Sequence, residues 1–220
     1  MSQRCFGSAK LPQLSPIRSN LPDRAAEALA ELLPVLGCGE EAAGLAFGNL
    51  ADSGIADAAG VAALRLIADE ERVHDGLIAS LMAGLPPSPD ASRLRAISRR
   101  FHLELGRGDH IVRLARITAL DSAVCLILSR LLRPGAPLSE DPVIAGILRR
   151  IARDEAGHVR LTRRLVRDRA DEAALVRVGA PVREALAVLL EHAGDAFEAL
   201  AFDPRWLRID LARIPAGLYR

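Results

Sequence analysis

From Leu21 to about Ala201 the apolar positions recur every three or four residues, the period of an amphipathic helix rather than the alternation of a strand. The pattern predicts an all-α chain. A first helix begins near Asp23, with Pro22 and Asp23 as start signals, is interrupted around Pro34, Gly37 and Gly39, and resumes to about Ala51. A turn over Asp52–Asp57 leads to a second helix from about Ala58 to Ala83, stopped by Gly84 and Pro86-Pro87-Ser88-Pro89. Residues 85–108 form a longer connection with a helical stretch of their own, Asp90 to about Leu105. A third long helix fits Asp109–Leu132, and a fourth starts between Ser139 and Pro142, where Pro142 suits the first turn, and runs to about Arg169. A fifth is expected from Pro181 to Ala201, followed by a tail to Arg220. Short turns join the first helix to the second and the third to the fourth, so each pair is expected to be antiparallel, with a crossover carried by the longer middle connection. Residues 1–21, with scattered Pro and Ser, read as a flexible arm, and 22–220 as one helical domain with a bundle core at about 25–168.

Four of the apolar stripes are interrupted by acids and histidines. The second helix reads Leu64, Ile67, Glu71, His74, Ile78 and Leu81; the fourth reads Ile144, Leu148, Ile151, Glu155, His158, Thr162 and Leu165. Each carries Glu-x-x-His in mid-stripe. A three-residue step puts both side chains on one face, about 60° apart around the axis and roughly 4.5 Å apart along it, which suits chelation of one ion. The third helix reads Leu114, Ile117, Asp121, Val124, Leu128 and Leu131, with one acid at a core position. In the first, Leu29, Leu33, Leu36, Glu40, Ala43, Phe47 and Leu50 point to Glu40, although a phase shift at the Pro and Gly residues presents Glu41 instead. Each half of the chain therefore runs acid, turn, Glu-x-x-His.

Composition narrows the chemistry. Half of the 220 residues are hydrophobic and the formal net charge is +1, enough apolar material for a sizeable core and no global attraction for nucleic acid or an anionic membrane. The three cysteines, Cys5, Cys38 and Cys125, lack CxxC spacing, and no signal peptide or membrane span is discernible, so a cytoplasmic location is expected. Four carboxylates and two imidazoles on core stripes require neutralisation, because even one uncompensated buried charge costs several kcal/mol. Lys10 is the only lysine and the arginines lie mostly off these seams, so two divalent cations are the natural counter-charge. Glu70 and Asp154, immediately before the two Glu residues, are placed to reach a ligand histidine on a neighbouring helix and fix its tautomer.

Glu40 or Glu41, Glu71 with His74, Asp121, and Glu155 with His158 resemble the ligand pattern of the ferritin-like di-iron carboxylate superfamily, which includes ferritins, rubrerythrins, ribonucleotide reductase small subunits and bacterial di-iron oxygenases. Arg153-Asp-Glu-Ala-Gly-His158 is similar to the fourth-helix motif of the oxidase and oxygenase members. The resemblance implies a ferritin-like four-helix bundle with a crossover between the second and third helices and an additional C-terminal helix. It implies two Fe ions, with Mn as the alternative, and an oxidoreductase that activates O2 to oxidise a small organic molecule. An electron-donor protein and a homodimer are compatible with it. Asp121 departs from the usual Glu at that position. A ferroxidase or a di-manganese peroxide-handling protein uses the same ligands, and a helical interaction module is the non-catalytic alternative.

The remaining candidates are weaker. His102, His110 and His192 have no acid three residues before them and suit surface or supporting positions. The arginines of the fourth helix, among them Arg149, Arg160 and Arg167, read as a solvated face more readily than as an RNA contact. No tyrosine lies near the ligand helices, which argues against a tyrosyl radical.

Overall fold

The computed structural model describes residues 4–7 and 15–214, in which there are nine helices and no strand. They are α1 (Asp23–Ala51), α2 (Ala58–Gly84), α3 (Ala91–Leu105), α4 (His110–Leu131), α5 (Pro137–Glu140), α6 (Pro142–Arg167), α7 (Glu172–Glu191), α8 (Gly194–Ala199) and α9 (Pro204–Ala212). Aspartates start four of the longer ones. Asp57, Asp109, Asp141 and Asp171 each accept a hydrogen bond from a backbone N–H of the first turn of α2, α4, α6 and α7, satisfying donors that have no partner within the helix. Pro142 occupies the first turn of α6, where its missing N–H costs nothing.

Two boundaries differ from the expectation. α1 is continuous through Pro34, Gly37 and Gly39, where an interruption was expected. Tertiary packing outweighs the unfavourable local propensity: Pro34 is itself buried, and Gly37 lets α2 come so near that a Cβ there would lie 3.0 Å from Ile78 Cγ2. The helix expected from Pro181 to Ala201 already begins at Glu172, behind the Asp171 cap, carries Pro181 in its interior, and ends at Glu191, with α8 as a separate turn.

α1 and α2 are antiparallel, since Gly44 faces Ala68 and Glu71 while Gly37 faces Ile78. α4 and α6 are likewise antiparallel: Leu114 and Leu165 belong to one apolar cluster, Leu128 and Ile144 to the other. These two clusters occupy opposite ends of the helices, and the acids and histidines of all four stripes lie between them. Buried Phe47, Leu50, Leu64, Ile67 and Leu114 stand on one side of this polar layer, and Leu33, Ile78, Leu81, Leu128, Ile144 and Leu148 on the other. α7, α8 and α9 add their apolar faces to the second cluster.

The described parts of the N-terminal arm are docked. Arg4 pairs with Glu41 and Asp75, the Cys5 N–H donates to Glu41, and the Ile17 N–H donates to the Ser80 carbonyl on α2. Residues 1–3 and 8–14, the rest of the segment read as a flexible arm, and 215–220 of the tail lie outside the described residues. No helix among the described residues is long and apolar enough to cross a membrane.

Candidate metal centre

The polar layer gathers six side chains from four helices. Glu40 comes from α1, Glu71 and His74 from α2, Asp121 from α4, and Glu155 and His158 from α6; all six are buried, and His74 is fully enclosed. One ligand atom each from Glu40, Glu71, His74 and Glu155 lies within 4.8 Å of the other three. Asp121 lines the same cavity as Glu40, Glu71 and Glu155.

Glu71 and Glu155 each stand near both histidines, whereas of the two flanking acids only Glu40 comes within hydrogen-bond distance of an imidazole. Glu71 offers Oε2 to His74 Nδ1 at 3.5 Å and Oε1 to His158 Nδ1 at 3.1 Å. Glu155 stands in the same relation, with Oε1 4.0 Å from His74 Nδ1 and Oε2 3.7 Å from His158 Nδ1. The ring centroids are 6.1 Å apart. Two carboxylates thus lie between two imidazoles, each reaching both, while Glu40 Oε2 flanks His74 Nδ1 at 3.2 Å.

The outer nitrogens are held from across the α2/α6 interface. His74 Nε2 is 3.0 Å from Asp154 Oδ2, and His158 Nε2 is 2.9 Å from Glu70 Oε2. An ionised carboxylate is only an acceptor, so each Nε2 carries the proton and each Nδ1 is left with a lone pair facing the acids. For His74 that lone pair meets an oxygen of Glu40. Two acceptors at 3.2 Å require a positive charge between them, either a proton or a cation.

Without a cation, protons take this place. Burial disfavours the imidazolium form of His74, but Glu40, Glu71 and Asp154 outweigh it and raise the pKa to about 11. Burial likewise opposes charging of His158, and Glu155 and Glu71 raise it to about 12. Burial, reinforced by the neighbouring acids, pushes Glu40, Asp121 and Glu155 upward. Burial pushes Glu71 upward too, yet the two imidazoles bring it below the ordinary range.

Protons nevertheless leave the layer incompletely paired. Both Glu71 oxygens, Asp121 Oδ2 and His158 Nδ1 are buried with no hydrogen bond of acceptable geometry, despite the 3.1 Å separation between Glu71 and His158. A self-contained buried network is expected to satisfy such atoms, because each orphaned group costs about 1–3 kcal/mol. Donors of this kind, carboxylate oxygen and imidazole nitrogen, suit a divalent transition metal. The residues present fit such an ion.

Glu41 does not join the cluster. One oxygen accepts from Arg4 Nε at 3.2 Å and the other from the Cys5 N–H at 2.7 Å, so its carboxylate faces the N-terminal segment, on a different side of α1 from Glu40. Unbroken helix through Pro34 keeps the stripe in phase and puts Glu40 inward. Two residues near the site carried no metal-like signal in sequence. His102 on α3 stands over Gly39, with Nε2 3.7 Å from where a Cβ would be, and burial lowers its pKa to about 4, keeping it neutral. Arg113 lines a groove beside α1. His102 could not be found from spacing, because it reaches the site from α3 only through helix packing, and Arg113 carried no signal because the groove it lines is made by that same packing.

A scan against protein-family models gives no match, and neither does a search of the curated proteins.

Proposed function

We propose that the protein is a di-metal oxidoreductase, with iron as the metal, that activates O2 to oxidise an organic substrate. The orphaned donor atoms of Glu71, Asp121 and His158 carry this reading, because they are buried carboxylate oxygens and an imidazole nitrogen, gathered in one layer, that a divalent cation would satisfy together. Glu40, Glu71, His74 and Glu155, whose ligand atoms lie within 4.8 Å of one another, would hold one ion, and His158, which Glu71 and Glu155 also reach, would hold a second together with Asp121 from the same cavity. Two divalent ions cancel four carboxylates and need both imidazoles neutral. In this reading α1, α2, α4 and α6 are the four helices of a ferritin-like bundle, and the connection bearing α3 is its crossover.

When bound, a pair of iron ions supplies one-electron redox chemistry and a place for O2. The chain supplies the rest. Asp154 and Glu70 hold the imidazole rings in orientation and keep the proton on Nε2. Apolar clusters on both sides of the polar layer exclude bulk water and lower the local dielectric. A cavity touching Glu40, Glu71, Asp121 and Glu155, and otherwise almost wholly apolar, gives an organic molecule access to the acids. That favours an organic substrate over a ferrous ion, which needs a hydrophilic path.

The test is anaerobic loading with Fe(II), metal analysis, and an optical spectrum before and after O2. Two irons per chain and an O2-dependent spectral change are expected. Failure to retain iron, manganese or cobalt would sink the reading and leave a helical protein with a proton-bridged polar core.

A further inference from the structure

Between α1 and α4 the helices scarcely touch, and elements without ligands close the space: α3 packs on both, α7 on α4 and α8 on α1. The space is an inner cavity of about 120 Å³ continued by an outer groove of about 290 Å³. Inside, the wall is apolar except for the four acids and His102, and it ends at Leu29, Leu131 and Phe197. From Glu40 back to Leu29 is eleven residues of α1, roughly 16 Å at 1.5 Å per residue. Cavity and groove share Gly39, Ala43, His102, Leu120 and Asp121, so the acids stand where the two meet.

Outward from this junction the groove runs to Asn49 on α1 and Arg113 on α4. Its wall includes Leu45 and Leu103, which are 44% and 47% exposed, an apolar rim open to solvent. Arg113 Nε is buried with no hydrogen-bond partner among the described residues. Arg113 is half-buried at the groove wall, where its guanidinium offers an anion a charge-assisted hydrogen bond beside the apolar rim. Arg113 lies eight residues before Asp121 on α4, about 12 Å along its axis and about 80° around it.

We propose that the site takes an amphipathic acid with a slender alkyl chain, its carboxylate on Arg113 and its chain passing His102 and the acids into the inner cavity. This names the substrate class for the reading above and rests on it. Neutral polar molecules and polyanions fit poorly: the wall offers the former few partners, and the acids repel the latter.

Isothermal titration of metal-free and Co(II)-loaded protein with octanoate, decanoate, dodecanoate and tetradecanoate tests the assignment, with cobalt content and a thermal melt recorded for every variant. Affinity is expected to rise about threefold to fourfold per added methylene until the inner cavity is full. Arg113→Ala is expected to weaken dodecanoate at least tenfold while leaving dodecanol unchanged, and Arg113→Lys to recover part of the loss. Ala43→Phe, at the junction, is expected to exclude the longer acids while octanoate still binds. Affinity independent of chain length, or equal dodecanoate binding by the wild type and Arg113→Ala, overturns the proposal. Chain-length and Arg113 dependence in a protein that retains no cobalt supports the ligand class and overturns the oxidoreductase reading instead.

Discussion

Asp154 Oδ2 on α6 lies 3.0 Å from His74 Nε2 on α2, and Glu70 on α2 returns the contact to His158 on α6. Each helix thereby orients the imidazole of the other. Asp154→Asn and Glu70→Gln remove the anionic acceptor while keeping shape, so each is expected to lower metal affinity by about 10- to 100-fold without unfolding the protein. Competition titration of Co(II) against a chromophoric chelator measures this; unchanged affinity in both variants means the contacts do not orient ligands.

Adjacent acids on α1 separate the site from its surroundings. Glu40→Gln is expected to reduce bound metal, whereas Glu41→Gln is expected to retain it, since Glu41 serves Arg4 and Cys5. Metal analysis after identical loading distinguishes the two, and the reverse order would put Glu41 inward.

The pH dependence follows from protons standing in for cations. His74 and His158, raised to about 11 and about 12 from an ordinary 6.5, hold more protons folded than unfolded. Their contribution is full below the unfolded pKa and is lost as pH rises through the folded values, so metal-free protein is expected to lose stability above about pH 6.5. Metal must displace these protons. Affinity for Co(II) is therefore expected to rise from about pH 6 to about pH 8, with protons released into weakly buffered solution. Calorimetry in buffers of different ionisation enthalpy counts them, and uptake without release contradicts the protonation scheme.

Two glycines of the helix packing respond oppositely. A Cβ at Gly44 meets Ala68 O and Glu71 Cβ at 3.6 Å, an ordinary contact, so Gly44→Ala is expected to be neutral or to stabilise by up to about 1 kcal/mol. At Gly84 it would lie 1.9 Å from Ile17 O, which forces the docked segment away and is expected to cost about 1–3 kcal/mol. Urea denaturation of the pair checks both signs.

Helical class and the inward position of the Glu-x-x-His pairs were legible in the chain because both depend on a period of 3.6 residues, a local property. Glu71, His74, Glu155 and His158 are buried in the stripes that contain them. The stripe pointed to Glu40 ahead of Glu41, but the choice stayed open because it turned on whether α1 survives Pro34. Packing against α2 decides that, and no propensity within α1 reports it.

What the sequence determined by itself is the set of donors and the helix faces that carry them. Tertiary structure decided which imidazole each of Asp154 and Glu70 reaches, that Glu71 and Glu155 lie between both rings, and that Arg113 and His102 open onto the same space as Asp121. The reason is physical: periodicity sets an angle about one helix axis, whereas a cross-helix distance or a cavity depends on how several axes are placed, and long-range apolar burial sets that placement.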